Sequence, residues 1–370
     1  MRPHPAAEAP ALTGTTTTGP VRVMIVEDST VVRRLLSHIV SRDPRLELAA
    51  AVASAEEGLA ELGRVRPDVI SMDIRLPGLD GLEATRRIMA ERPTPIVVIA
   101  DAVEERGLHI SMNALRAGAL TVVEKPLGPG REGWEAAAEA ICTQLFIMSQ
   151  VPVIRQRAGI AAPPARRAAG GTPPLRPLMV GIAASTGGPP ALARVLGALP
   201  ADFPVPVLLV QHMGAPFMEG FAAWLDGLVA PRVAIAADGE RPRPGHVHVA
   251  PGDRHLSLTT GGLMRVSADP PAGGQRPAAD VLFGSMAQVL GARAMGVLLT
   301  GMGEDGARGL LAIHRGGGTT LAEDETTAVV YGMPAAAARL GGVSAALPLD
   351  RIGPRLLRVA GGAVGATDGR

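Results

Sequence analysis

Residues 21–30, VRVMIVEDST, run from an apolar strand directly into two carboxylates and a Ser-Thr pair suited to start a helix. A nearly continuous apolar run of this length, ended by charge, predicts a strand covered on both faces. Similar short runs follow at 48–52, 69–72, 96–100 and 120–123. Between them, stretches such as 30–40 and 82–90 place apolar residues three and four apart, as an amphipathic helix does. Strands alternating with covering helices predict a doubly wound parallel sheet. A last helix near 133–148 closes this unit, read as residues 21–150.

The next stretch, 151–177, contains Pro152, Pro163, Pro164, Pro173, Pro174 and Pro177 among Arg and Ala, without sustained periodicity. That composition predicts an extended linker. Strand-like runs resume at 178–183, 205–210 and 295–299, the first and third leading into helical stretches at 190–199 and 306–314. A second α/β domain is therefore expected over 178–360, with a flexible tail at 361–370. Within it, the short segments 233–236, 246–250, 256–259 and 263–266 are separated by Gly, Pro and Asp turns and predict an inserted antiparallel meander. The expected fold class is α/β, with two doubly wound parallel-sheet domains.

Composition narrows the function. A length of 370 residues suits two domains plus connections. With 36 basic against 35 acidic residues, the chain has no net attraction to nucleic acid or an anionic membrane, and neither partner is expected. No apolar run reaches the ~18 residues of a membrane helix. Residues 1–20 place Thr15 to Thr18 where a signal peptide needs an apolar segment, and read as a disordered leader. The single cysteine, Cys142, excludes an internal disulfide and suits a reducing cytoplasm, the expected location.

Two sets of residues carry chemistry. Glu27 and Asp28 follow the first strand, Asp73 the third, and Lys125-Pro126 the fifth, so all are expected at the carboxyl edge of one sheet, where such sheets bind ligands. Converging carboxylates suit Mg2+, and Asp73 could attack a phosphoryl group. The plainer alternative is that Asp28 caps a helix and Asp73 opens a Pro-Gly loop. Lys125 argues against it, being the only lysine among 36 basic residues and standing where a compact ammonium suits a phosphoryl oxygen.

The segments 23–29 (VMIVEDS), 72–81 (MDIRLPGLDG) and 124–126 (EKP) resemble bacterial two-component receiver domains. The resemblance implies a flavodoxin-like fold and phosphorylation of Asp73 by a histidine kinase. It further implies Mg2+ held by Glu27, Asp28 and Asp73, a phosphoryl contact from Lys125, and a cis Lys125-Pro126 bond. One departure stands out: Ala100 occupies the strand end where the family has Ser or Thr.

In the second domain, 184–188 (ASTGG) places Ser185 on a strand-to-helix turn, where free N–H groups can meet a developing oxyanion. A serine cap in a passive glycine turn is the alternative. His212 and Asp305 also follow strands, so a Ser-His-Asp set would converge on one crevice, with Glu304 a competing acid. The chain order Ser, His, Asp disfavours the familiar hydrolase folds. His246, His248 and His255 superficially suggest a metal cluster, although structural roles are the expectation.

The segments 181–189 (GIAASTGGP), 210–213 (VQHM), 250–256 (APGDRHL), 298–306 (LLTGMGEDG) and 331–334 (YGMP) are similar to chemotaxis protein-glutamate methylesterases. That family likewise joins a receiver to its catalytic domain. The resemblance implies Ser185 as nucleophile, His212 as base and Asp305 as orienting acid, with the N–H groups of Thr186 and Met302 near the oxyanion. The implied substrates are glutamyl methyl esters, and glutamines, on the cytoplasmic helices of methyl-accepting chemoreceptors. The alternatives are a receiver-regulated serine esterase for another substrate, or a phosphorylation-responsive scaffold.

Overall fold

The computed structural model describes residues 19–100, 117–126, 128, 130, 134–150 and 175–361. The expected leader, linker and tail therefore lie almost wholly outside the described residues.

The first sheet contains β1 (Val21–Val26), β2 (Leu46–Val52), β3 (Val69–Met72), β4 (Ile96–Ala100) and β5 (Thr121–Glu124) in the order β2-β1-β3-β4-β5. Every neighbouring pair is parallel. Around it lie α1 (Thr30–Arg42), α2 (Ala55–Val65), α3 (Gly81–Glu91) and α4 (Trp134–Ser149). β3 and β4 are buried throughout, which is why they read as unbroken apolar runs. After β1 the chain moves to one side of the sheet and after β3 to the other, so the ligand crevice opens at their carboxyl ends.

The second sheet has seven strands, β6 (Met179–Ala184), β7 (Val207–Gln211), β8 (Arg232–Ile235), β9 (His246–Val249), β12 (Ala294–Leu298), β13 (Thr319–Glu323) and β14 (Ala345–Leu347). They lie in the order β14-β13-β12-β6-β7-β9-β8, all parallel. The remaining strands, β10 (His255–Leu258) and β11 (Met264–Ser267), form a separate antiparallel pair. The helices are α5 (Gly188–Gly197), α6 (Met218–Asp226), α7 (Ala279–Leu290), α8 (Ala307–Arg315), α9 (Met333–Arg339) and α10 (Leu349–Gly361). β6 lies at the switch point, because the chain fills one side of it through β8 and β9 and the other through β12 to β14.

The expected four-segment meander is thus half right. The hairpin exists over β10 and β11, but β8 and β9 extend the main sheet as parallel neighbours. Burial explains the difference: Val247 and Val249 are fully buried and β9 lies between β7 and β8, whereas a meander strand would leave one face wet. The Gly- and Pro-rich residues at 236–245 form a crossover and not a tight hairpin turn.

One connected set of buried apolar side chains includes Ile70 and Ile96 of the first sheet and Val180 and Leu209 of the second. A separate buried cluster of the first domain includes Val23, Ile25, Val97, Ile99 and Trp134, and Val329 and Val330, between β13 and α9, pack against it.

Candidate functional site

At the carboxyl edge of the first sheet, Ser29, not Asp28, caps α1, its hydroxyl accepting the Val32 amide. Asp28 is left exposed and available to a ligand. One oxygen each from Glu27, Asp28 and Asp73 lies within 4.8 Å of the others. Lys125 Nζ reaches Asp73 Oδ2 at 2.9 Å and Glu27 Oε2 at 3.1 Å. Burial, then the Asp73 charge, push the Glu27 carboxyl up to about 7 against the pull of Lys125. Burial opposes the Lys125 ammonium, but Asp73 and Glu27 outweigh it and raise its pKa. Gly81 is required by a close approach, since a Cβ there would stand 2.1 Å from the Asp73 carbonyl oxygen. Ala100 ends β4 beside this pocket, where its carbonyl accepts the Lys125 amide at 3.0 Å. The cis peptide among the described residues is Arg276-Pro277; Lys125-Pro126 is trans, and Lys125 reaches both carboxylates in that form.

The second crevice forms where β6, β7 and β12 end. The β6–β7 ladder closes with Ala184 opposite Gln211, so Ser185 and His212 are the first residues beyond it. The Ser185 amide donates to the Thr300 carbonyl at 3.0 Å, tying the turn to the end of β12. Gly187, with φ +74°, opens the path into α5. A Cβ there would also stand 2.6 Å from Val329 Cβ.

His212 Nε2 lies 2.8 Å from Asp305 Oδ2, and both side chains are nearly buried, 9% exposed. Asp305 is held from three further directions. Its Oδ2 accepts the Ala279 amide at 2.6 Å, and its Oδ1 accepts those of Asp280 and Gly306 at 2.9 Å each. α7 has Ala278 at its cap position and no capping side chain of its own, so Asp305 serves its first turn from a distant loop. Burial alone would raise the Asp305 pKa, but His212 and the α7 amides outweigh it and hold the carboxylate below its usual range. Glu304, the competing acid, is exposed and faces Arg339 at 3.6 Å.

Thr186 is buried and its carbonyl accepts the Thr300 hydroxyl at 2.9 Å, whereas Met302 is 48% exposed at the rim. Among the described residues, no hydrogen bond joins Ser185 Oγ to His212, whose ring contacts Asp305.

Among the described residues, His246, His248 and His255 have other partners than one another's ring nitrogens. His246 and His248 stack with ring centroids 6.0 Å apart. Burial, then the neighbouring His246, push His248 down to about 4, and its Nε2 accepts the Arg243 amide. His255 is buried between the Pro270 carbonyl and the Ala278 amide, bracing the entry to α7. That bracing role was not read from the sequence, nor was that of Gln211, which stands inside VQHM but whose partners are backbone carbonyls.

Residues 180–356 match the family model for CheB methylesterase, and residues 23–131 that for the response regulator receiver domain. A protein-glutamate methylesterase/protein-glutamine glutaminase from Paramagnetospirillum magneticum is 52% identical over 345 residues, spanning 91% of this chain and 96% of that one. One from Myxococcus xanthus is 46% identical over 321 residues, spanning 85% and 90%. The crystal structure of the Thermotoga maritima CheB methylesterase catalytic domain is 37% identical, covering 49% of this chain and 97% of that one with a TM-score of 0.48. With 52% identity to the Paramagnetospirillum magneticum relative along 91% of this chain and 96% of that one, and with both family models matched, this protein belongs to the CheB methylesterase family and carries a response regulator receiver domain.

Proposed function

We propose that the chain is a receiver-controlled protein-glutamate methylesterase and protein-glutamine glutaminase, in which Ser185 attacks the γ-carbonyl of a glutamyl methyl ester or glutamine on the cytoplasmic helices of a chemoreceptor. The observation that carries this reading is the 2.8 Å contact of His212 Nε2 with an Asp305 carboxylate fixed by three backbone amides. It leaves Nδ1 as the ring nitrogen that takes the Ser185 proton. As the Oγ–carbon bond forms, the carbonyl electrons move onto oxygen, toward the Thr186 and Met302 amides. The oxyanion then collapses, and methanol or ammonia leaves with the proton returned by His212. Water repeats the sequence on the acyl-enzyme, freeing Ser185 and a glutamate side chain.

In the receiver domain, Asp73 would accept the phosphoryl group from a histidine kinase, with Lys125 positioned to bind one of its oxygens. The donor set fits a hard cation: three carboxylates within reach of one point, Asp28 exposed. Mg2+ bound by Glu27, Asp28 and Asp73 would neutralise charge between carboxylate and phosphoryl oxygens. Val329 supports control by this domain, since it touches both the Gly187 turn and the first-sheet core. No helix among the described residues is long and apolar enough to cross a membrane; a cytoplasmic location is part of this reading.

Methanol release from methylated chemoreceptor tests it. Ser185→Ala should abolish release, with and without a small phosphodonor, and Asp73→Asn should keep the basal rate but lose its response to the donor. Turnover by the Ser185 variant would remove that residue from the nucleophile role. Unchanged activation in the Asp73 variant would remove Asp73 from control.

A further inference from the structure

We infer that Gln211, which takes no part in the chemistry above, is the positioning residue that holds the nucleophile turn at a fixed distance from the base. This rests on the reading of Ser185 and His212 as nucleophile and base. The β6–β7 ladder ends at the pair Ala184 and Gln211, followed by a single bond from the His212 amide to the Ala184 carbonyl at 3.0 Å. Beyond that point the side chain of Gln211 takes over the role of the ladder. Its Nε2 donates to the Ser185 carbonyl and to the His212 carbonyl, each at 2.9 Å. Two acceptors fix which end of the amide is nitrogen, because an oxygen there would face both carbonyls.

The rest of the side chain is held as closely. Gln211 is 1% exposed, and its Oε1 is buried with no hydrogen-bond partner among the described residues. Leaving a carbonyl oxygen so placed is costly, and an apolar side chain of the same volume would remove that cost only by taking the donor away from the Ser185 and His212 carbonyls. What such a side chain could not do is join the two carbonyls. The amide also explains a glycine: a Cβ at Gly188 would stand 2.1 Å from Gln211 Oε1 and 2.8 Å from Ala184 Cβ. The Gly188 amide donates to the same Ser185 carbonyl at 2.9 Å, so the carbonyl is held from both sides. A triad is sensitive to displacements of this kind, a shift of about 1 Å lowering turnover about 10²-fold.

The test uses the intact chain and follows methanol release together with the rate at which a fluorophosphonate labels Ser185. Gln211→Met, nearly isosteric but without donors, should lower kcat and the labelling rate by roughly 10- to 100-fold, with KM within about twofold of wild type. Gly188→Ala, which displaces the same amide, should give a similar kcat loss, and the double variant should be no slower than the slower single variant. If Gln211→Met fails to fold, Gln211→Glu, which keeps the shape but puts carboxylate oxygens against two carbonyls, should show the same kcat loss at unchanged KM. A folded Gln211 variant with kcat within about twofold of wild type would overturn the assignment, as would fully multiplicative losses in the double variant. Methanol release by Ser185→Ala would instead overturn the underlying assignment of the nucleophile.

Discussion

Asp305→Asn separates catalysis from folding in a way that the geometry makes quantitative. The carboxylate accepts four N–H groups: Ala279 and His212 on Oδ2, Asp280 and Gly306 on Oδ1. An asparagine has only one acceptor oxygen. Turning its NH2 toward Asp280 and Gly306 leaves two amides facing a donor, costing about 1–3 kcal/mol each. Turning the NH2 toward Ala279 and His212 leaves one amide unpaired, and His212 adapts by presenting an unprotonated Nε2. The second arrangement is therefore favoured, and it puts the ring proton on Nδ1, the nitrogen that in the proposed mechanism receives the Ser185 proton. The same exchange in a well-studied serine-protease triad lowers kcat about 10⁴-fold. Here a loss of about 10³ to 10⁴, or 4–5.5 kcal/mol in barrier, is expected for about 1–3 kcal/mol of stability. Initial rates of methanol release under saturating receptor, alongside urea denaturation, measure both quantities. A kcat within tenfold of wild type, or a loss confined to KM, would refute the reasoning.

Two further perturbations follow from the electrostatics. Glu323 ends β13 fully buried, accepting the Thr300 amide, and burial pushes it from 4.5 up to about 7. Between those values the folded chain holds more protons than the unfolded one, so stability falls as pH rises through this window. Glu323→Gln should flatten that fall, raising stability at pH 8 by on the order of 1–3 kcal/mol while changing little near pH 4; equal effects at both pH values in thermal melts would count against it. Asp28→Asn should weaken Mg2+-dependent stabilisation of the receiver at least tenfold, read as the Mg2+ concentration that shifts the melting temperature, and an unshifted titration would remove Asp28 from the ligand set.

The sequence made both crevices legible because chemistry sits at strand ends, and strand ends are punctuated by residues that apolar periodicity excludes. Ser185, His212 and Asp305 are close in space for that reason, since β6, β7 and β12 are neighbours in the sheet. The order of strands, by contrast, is not written locally. His246 to Val249 reads HVHV, an alternation that suggests a half-wet strand, yet Val247 and Val249 are buried and His248 with them. Only the partners on either side make β9 interior. The choice between Glu304 and Asp305 was equally undecidable from spacing; the contact of Asp305 with His212 depends on amides at the start of α7, about 25 residues earlier in the chain. Gln211 was missed because its partners are main-chain carbonyls, which every residue has and no side-chain pattern reveals.

The use of Asp305 as the remote cap of α7 has a consequence for how the protein opens. A helix end normally frays independently of what lies near it, its first amides being the weakest-held of the element. Here the first turn of α7 cannot loosen without giving up two of the four N–H groups that hold the carboxylate in contact with His212. Loosening at residues 278–280 and loosening of the Asp305 carboxylate are thereby coupled, so fluctuations that reach this joint also reach the group in contact with His212.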